Sequence, residues 1–205
     1  MKASGTVRTV ELLDLAPPPA PGAVEHPALD LADSAVALPG GQRLDLLGTP
    51  EDATRWLVER GLAPDDAALQ EVCAGRLRAL RGHVRALIAA RIDGHPASTE
   101  ALDAVNEALS RVPTAALLRW DSSTGFTRRS THPTDQIVDH ALGTLAADAA
   151  DLLSGPDAAR LAACDSPPCI RYLLRSGRRQ WCSVRCGDRA RAARAYARRT
   201  GAPRA

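Results

Sequence analysis

The chain has 205 residues, which is enough for one domain of ordinary size and a small appendage. Its 45% of hydrophobic residues excludes wholesale disorder, and its 3% of aromatic residues leaves Leu, Val and Ala to build the core, which favours helices over an all-β fold. The net charge of +2 conceals an asymmetry, because residues 164–205 carry eleven arginines against two aspartates, a total of +9, whereas residues 1–163 total −7.

The N-terminal segment is not expected to be a targeting signal. Its first residues lack the apolar run of about 7 to 15 residues that a signal peptide needs, and no later stretch approaches about 18 apolar residues. We therefore expect a cytoplasmic protein that spans no membrane. Residues 1–24 are assigned to an arm and a Pro-rich linker: residues 1–15 form a short strand or arm, and residues 16–22 (APPPAPG) form a stiff, extended spacer rather than a core element.

Residues 25–160 are predicted to form a mostly helical domain. Apolar and polar residues alternate around PGG in residues 28–47, which suits two short strands or a helical turn followed by a strand. A short helix follows, with Thr49 as its N-cap, Pro50 at its first position and Gly61 as its stop.

Two further helices are predicted from periodicity. Residues 64–94 form a long amphipathic helix whose core-facing stripe recurs at three- and four-residue steps. The stripe consists of Leu69, Val72, Cys73, Leu77, Leu80, Val84, Leu87 and Ile88. Cys73 is thus expected to be a buried core residue rather than a reactive thiol. A helix over residues 98–111 carries on one face Leu102, Val105 and Leu109.

The remainder of this domain adds a hairpin and another long helix. Residues 114–131 have the pattern of a β-hairpin around DSSTG, and Thr134 opens a helix that runs through Ser154 and is closed by Gly155. A further short helix begins at Pro156. The predicted fold class is therefore α+β, mainly α with a small β-hairpin or sheet, in which a helical N-terminal domain precedes a small segment that contains four cysteines.

Four of the five cysteines form the pattern C-x4-C-x12-C-x3-C: Cys164, Cys169, Cys182 and Cys186. In a reducing compartment, closely spaced thiols are more often metal ligands than disulfides. A tetrahedral zinc ion needs four donors that converge at about 2.3 Å, and two short pairs supply them with little loop strain. The pattern predicts one structural Zn²⁺, with disulfides, a redox pair or an iron–sulfur cluster as alternatives. Because this segment has few apolar residues, the metal would supply much of its folding free energy.

The run RRQWCSVRCGDRARAARAYARR resembles the CGNR-type zinc finger of bacterial stress-induced transcription regulators, which pair it with an N-terminal, mostly helical ABATE domain. The finger resemblance covers about residues 161–201. The matching positions are Cys164, Cys169, Trp181, Cys182, Ser183, Cys186, Gly187 and Arg189. Weaker resemblance comes from LDLADSAV, WLVERGL, VNEAL and the hairpin. The resemblance implies an ABATE-like domain over residues 25–160, a finger with a basic C-terminal helix over residues 161–205, and a role in transcription regulation.

The chain departs from the family pattern at two places. Asp188 stands where the family has asparagine, and YLLRSG lacks the family's usual aspartate. An amide that contacts a phosphate or base would be replaced at residue 188 by a repelling carboxylate. Alternatively, and as we expect, Asp188 caps the helix start or pairs with Arg185 or Arg191.

The sequence after Gly187 predicts a basic helix. At 100° per residue, Arg191, Arg194 and Arg198 share one stripe, which makes one side of the finger strongly positive. A basic end on an acidic body is a known feature of nucleic-acid-binding appendages. The predicted DNA-binding residues are Arg178, Arg179, Arg185, Arg189, Arg191, Arg194, Arg198 and Arg199. The alternatives are a helix that docks on the acidic body or on a protein partner.

The helical domain could bind a small-molecule effector, form a homodimer, or both. Its candidate ligand contacts are Asn106, Arg119 and Trp120, with Arg128, His132 and His140 as further polar residues. Each has a plainer explanation, such as a surface position for His140. The chain has no Gly-rich phosphate loop, HExxH or GxSxG, so no enzyme is predicted. The alternative function is a protein–protein interaction module, or a small-molecule-binding protein or enzyme, with a purely structural finger.

Overall fold

A computed structural model describes residues 17–38, 41–111, 116–130 and 136–200, and it confirms the predicted α+β class. The helices in these ranges are α1 (Pro27–Ala32), α2 (Pro50–Glu59), α3 (Glu71–Asp93), α4 (Thr99–Arg111), α5 (Ile137–Ser154) and α6 (Val184–Thr200). The strands form three antiparallel pairs: β1 (Ala35–Ala37) with β2 (Arg43–Asp45), β3 (Ala116–Asp121) with β4 (Gly125–Ser130), and β5 (Leu161–Ala163) with β6 (Tyr172–Leu174). A 3₁₀ helix, Pro156–Arg160, precedes β5.

Helix α3 is the centre of the helical body, the name used below for residues 25–160. It packs against α1, α2, α4, α5 and β5. Its predicted stripe is buried over most of its length: Leu77, Leu80, Val84, Leu87 and Ile88. Fully burying one such side chain stabilises the fold by about 1.5 to 3 kcal/mol relative to exposing it. The body therefore has a continuous aliphatic core.

Local signals at the ends of α2 are confirmed by the structure. The Thr49 side chain accepts a hydrogen bond from the Asp52 amide at 3.1 Å, and Pro50 occupies the first helical position. The hairpin is also confirmed, with Trp120 paired to Phe126 and Asp121 to Gly125 around its turn. Residues 28–47 combine the two interpretations offered for them, since helix α1 is followed by strands β1 and β2.

Two parts of the predicted hydrophobic stripes are wrong. Helix α3 begins at Glu71 rather than near residue 64, so Val72 lies in its first turn and is 65% exposed. In α4 the core-facing residues are Ala101, Val105 and Ala108. Leu102, which follows Ala101 and lies beside the buried face, is 43% exposed. Small alanines face α3 and α5 at this position, which allows the helices to approach closely.

Other expectations fall in part or wholly outside the described ranges. The predicted arm over residues 1–15, the helix start at Thr134 and the candidate His132 belong to this group.

Cys73 is half-buried at the beginning of α3 rather than fully buried. Among the described helices, none is long and apolar enough to cross a membrane.

The Pro-rich segment takes part in a core, contrary to the prediction for residues 16–22. Ala20 and Ala23 are buried in a second, smaller hydrophobic cluster together with Leu173 and several of the cysteines. The Leu174 amide donates to the Pro21 carbonyl at 2.8 Å. Gly22 has a φ of +92° and lies so close to Leu174 that a Cβ atom would overlap its side chain. Residues 20–23 therefore pack against the finger, the name used below for residues 161–200.

Candidate metal centre and nucleic-acid interface

The strand pair β5–β6 and the start of α6 bring the four predicted cysteines together. Cys164 follows β5, and its amide donates to the Arg171 carbonyl at 2.9 Å. The Cys169 amide donates to the Ser166 carbonyl at 2.9 Å, which turns the chain between the first two cysteines. Cys182 precedes α6 and Cys186 lies in its first turn. Two separate backbone turns thus point two thiols each into one cluster.

The four sulfurs lie close to the distances that a tetrahedral metal site requires. All four lie within 4.8 Å of one another, and Cys182 Sγ is 3.6 Å from both Cys169 Sγ and Cys186 Sγ. Four sulfurs at about 2.3 Å from a zinc ion would be about 3.8 Å apart. All five cysteines of the chain are free thiols in this structure. The donor set fits one metal ion, with Cys164, Cys182 and Cys186 buried and Cys169 half-buried.

The thiols influence one another's ionisation strongly. Hydrogen bonds from Cys164 and then Cys182 lower the pKa of Cys169 to about 2, while the hydrogen bond to Cys169 raises the pKa of Cys164 to about 12. The hydrogen bond with Cys164 also raises the pKa of Cys182. One thiolate therefore forms easily, but further ionisation places like charges side by side. A divalent cation removes this repulsion, as expected for a thiolate metal site.

Arg189, one of the predicted DNA-binding residues, is directed towards the cluster. Its Nη2 lies 3.2 Å from Cys186 Sγ and 3.3 Å from the Ser166 carbonyl, and its Nε donates to Ser166 Oγ at 3.2 Å. Ser166 is fully buried and donates to the Cys186 carbonyl at 2.8 Å. Arg189 is therefore engaged with the cysteine cluster and offers fewer free donors to a partner than the other arginines do.

Trp181 packs against the cysteine cluster. Its indole nitrogen donates to the Asp165 carbonyl at 3.1 Å, and its ring borders the buried Cys182 region. The guanidinium carbons of Arg191 and Arg194 lie 5.8 and 5.4 Å from the ring centre, within range of a cation–π contact. Trp181 thus supports the first turns of α6 and the arginines on them.

The other predicted DNA-binding arginines share one property, which is exposure to solvent. They are Arg178, Arg179, Arg185, Arg191, Arg194, Arg198 and Arg199. Beyond Gly187, no described residue of α6 is buried, so this helix extends away from the cluster. Asp188 pairs with Arg191 at 2.5 Å, which is one of the two pairings expected for it. The carboxylate therefore neutralises one arginine rather than standing alone on the basic surface.

Comparison with known families supports this description. Residues 25–156, more than half of the chain, match the ABATE family, described as "putative stress-induced transcription regulator". The chain belongs to this family. Residues 160–199 match the CGNR zinc finger, as the sequence resemblance indicated. Neither description names an enzymatic activity. A comparison with curated proteins finds no match.

The candidate effector contacts of the ABATE region lie in different environments. Asn106 is exposed on α4, and Trp120 on β3 is 67% exposed with its ring centre 4.9 Å from that of Phe126. The side chains of Arg119 and Arg128 lie outside the described part of the structure. His140 is buried, at 6% exposure, so the expectation of a surface position on its helix is wrong.

A cavity that the sequence did not predict lies between α3, α4 and α5. Its volume is about 190 Å³, and its charged lining consists of Arg76, Glu107, Arg111 and Asp139, with His83 beside them. The Arg111 guanidinium pairs with Glu107 and lies 4.0 Å from Asp139, and Arg76 also pairs with Asp139. These residues come from three helices, so no local sequence motif could predict the cavity.

Proposed function

We propose that this ABATE-family protein is a DNA-binding transcription regulator whose finger contains one structural zinc ion. Cys164, Cys169, Cys182 and Cys186 would hold the ion, and α6 would present its arginines to DNA. In this arrangement residues 161–205 are the DNA-binding domain, and residues 25–160 form the regulatory domain. The observation that carries the proposal is an exposed arginine stripe on a helix whose first turn is anchored in the cysteine cluster.

The geometry of α6 is suited to phosphate contacts. At 1.5 Å per residue, its 17 residues extend about 25 Å. Arg194 and Arg198 are exposed on neighbouring turns, and Arg191 lies one turn before them on the same face. DNA carries one negative charge per about 1.7 Å of helix axis, so several of these arginines can meet phosphates at once. A closed four-thiolate zinc site would make the base of this helix rigid without offering a position for a substrate.

The charge asymmetry of the chain predicts which end of the molecule faces DNA. Residues 1–163 carry a net charge of −7 and residues 164–205 carry +9, so a polyanion is attracted to one end of the molecule and repelled by the other. This asymmetry orients the protein on DNA with the finger towards the duplex. The helical body then remains available for an effector or for a second subunit.

Binding of a mixed-sequence duplex at several salt concentrations tests the proposal. The double substitution Arg194→Gln and Arg198→Gln removes two exposed charges from α6, so the slope of log K against log salt should fall in magnitude by about 1.8 if both contact phosphates. The matched control is Arg43→Gln with Arg91→Gln, which removes two exposed charges from the body. Equal effects of the two double variants, or affinity that does not change with salt, would contradict the proposal. Selection from a random DNA pool would then give the preferred sequence.

Dimerisation through the β3–β4 hairpin is a second role that a specific observation favours. Leu118, Trp120 and Phe126 are 67%, 67% and 71% exposed, an unusual degree for large apolar side chains that lie next to one another. A second copy of the chain that covered this face would bury them. Sedimentation analysis should give a dimer for the native chain and a monomer for Trp120→Ser, and a concentration-independent monomer in both would contradict it.

The cavity between α3, α4 and α5 is our proposed effector site, in place of Asn106 or Trp120. Its apolar floor and its paired arginines and carboxylates suit a small molecule that carries charges of both signs. Thermal unfolding in the presence of small zwitterionic metabolites tests it. A ligand that raises the melting temperature of the native chain should lose this effect in Arg76→Gln but not in Asn106→Ala.

A further inference from the structure

We propose that Asp33 and Arg171 are positioning residues of the metal centre, so that the helical body helps to retain the ion bound by the finger. The inference depends on the metal site proposed above. Asp33 directly follows α1 in the body, whereas Arg171 lies between Cys169 and β6 in the finger. The two residues are 138 positions apart in the chain and form a buried ion pair.

The Arg171 guanidinium joins the body to a cysteine. Its Nε donates to Asp33 Oδ2 at 3.2 Å, and its Nη1 lies 4.0 Å from Cys182 Sγ. Arg171 and Asp33 are each only 3% exposed. Since the fork of an arginine is planar and rigid, the carboxylate fixes the direction in which the other nitrogen faces the sulfur. Asp33 thereby acts on the cysteine through Arg171.

The backbone beside Arg171 is held by the same carboxylate and by a second arginine. The Tyr172 amide donates to Asp33 Oδ1 at 2.8 Å. Arg85 of α3 donates to the Ala32 carbonyl at 2.6 Å and to the Ile170 carbonyl at 2.8 Å. Its guanidinium carbon also lies 4.8 Å from the centre of the Tyr172 ring. The chain that leads from Cys169 to β6 is therefore fixed to the body on both sides of Arg171.

Charge gives this arrangement a role beyond packing. Four thiolates around one divalent ion leave a net charge of −2, which is costly at a buried site unless cations lie nearby. Arg171 supplies one positive charge near Cys182, and Arg189 supplies another 3.2 Å from Cys186. Arg189 is oriented from within the finger by Ser166, whereas Arg171 is oriented by the body. Retention of the metal should therefore depend on a residue far from the cysteines in sequence.

Metal release from the full-length, zinc-loaded protein measures this dependence directly. A chelator in excess with a chromophoric zinc indicator gives the release rate, at pH 8. This pH keeps Asp33 ionised, because burial raises the pKa of this carboxyl to about 7 in spite of Arg171. Loss of a residue that orients a metal ligand typically costs roughly 10- to 100-fold in metal affinity, so Asp33→Asn should release zinc at least about tenfold faster than the native chain.

The matched control is Asp45→Asn, which breaks a carboxylate–arginine pair that lies entirely within the body. The Asp45 carboxylate accepts hydrogen bonds from the Arg81 guanidinium at 2.6 and 2.8 Å and contacts no cysteine. The Asp45→Asn variant should release zinc at the rate of the native chain. An equal acceleration of zinc release in Asp33→Asn and Asp45→Asn would overturn the inference. Arg171→Lys provides a second variant if Asp33→Asn does not fold, and circular dichroism reports the folding of each. Lysine keeps the positive charge but cannot contact Asp33 and Cys182 at the same time. The zinc release rate of Arg171→Lys should therefore lie between those of the native chain and Asp33→Asn.

The two proposals fail in different ways. Equal release rates for the native chain and Asp33→Asn would overturn the role of Asp33 and Arg171 but leave the metal site intact. A native chain that carries no metal would overturn both the metal site and this inference. Release rates do not involve DNA, so a failure to bind DNA would count only against the proposed function.

Discussion

The ring of Trp181 lies so close to Gly187 that a Cβ atom at residue 187 would be 3.2 Å from Trp181 Cε3. The same atom would also be 3.2 Å from Arg191 Nη1. Gly187 is buried and directly follows Cys186 in the first turn of α6. The glycine thus allows the indole ring to pack on the backbone that carries the last cysteine.

Substitution of this glycine by alanine should loosen the finger. In Gly187→Ala the ring or the helix must move by a few tenths of an ångström, a type of overpacking that costs about 1 to 3 kcal/mol. We expect faster metal release and altered tryptophan fluorescence. Gly82→Ala is the control, because Gly82 lies within α3 with nothing within 4 Å of an added Cβ atom. It should stabilise the protein by about 0.5 to 1 kcal/mol. Similar destabilisation in both variants would contradict this explanation.

Substitution of one cysteine of the cluster should abolish stoichiometric metal binding. Cys182 is 1% exposed and contacts two other sulfurs, so Cys182→Ser removes a ligand that the remaining three cannot replace. Elemental analysis should give about one zinc ion per chain for the native protein and close to none for the variant. Cys73→Ser, outside the cluster, is expected to retain the ion. Equal metal content in the two serine variants would refute the assignment.

The stability of the body should depend on pH through His26. Its ring lies 2.9 Å from Asp148 and 3.3 Å from Asp157. Burial lowers the pKa of His26, but the two carboxylates outweigh this effect, so its pKa is raised above the ordinary value. The charged His26 ring therefore contributes its full stabilisation of the folded state below the unfolded-state pKa of about 6.5. This contribution is lost as the pH rises through the higher folded-state pKa.

Urea unfolding between about pH 5.5 and 9 would measure this effect. The difference in free energy of unfolding between the native chain and His26→Gln should be largest below pH about 6.5 and decrease above it. His95→Gln is a control at an exposed histidine that follows α3. A difference for His26→Gln that stays constant across the range would exclude a contribution from the charged ring.

Arg189 and Arg198 should contribute to different properties although both were predicted to bind DNA. Arg198 is exposed, so Arg198→Gln should lower the magnitude of the salt slope by about 0.9 and leave metal release unchanged. Arg189 contacts Cys186 and Ser166, so Arg189→Gln should accelerate metal release and, with zinc in excess, change the slope less. The reverse pattern would show that Arg189 faces DNA.

Local signals explain what could be predicted from the sequence. The N-cap at Thr49 and the hairpin turn after Asp121 each depend on residues a few positions apart. The cysteine cluster is also confined to one short segment. The inward orientation of Arg189 could not be predicted, since it belongs to the same arginine-rich run as its exposed neighbours. The pairing of Asp33 with Arg171 depends on how two distant parts of the chain pack together.

The contribution of residues 20–23 to the second hydrophobic cluster bears on where the chain can be cut. A fragment that began at residue 160 would keep every cysteine of the cluster but would lose Ala20 and Ala23, which belong to the same hydrophobic cluster as Leu173 and Cys182. It would also lose the carbonyl of Pro21, which accepts from Leu174. During synthesis, residues 20–23 can complete this cluster only after residues 161–186 have left the ribosome.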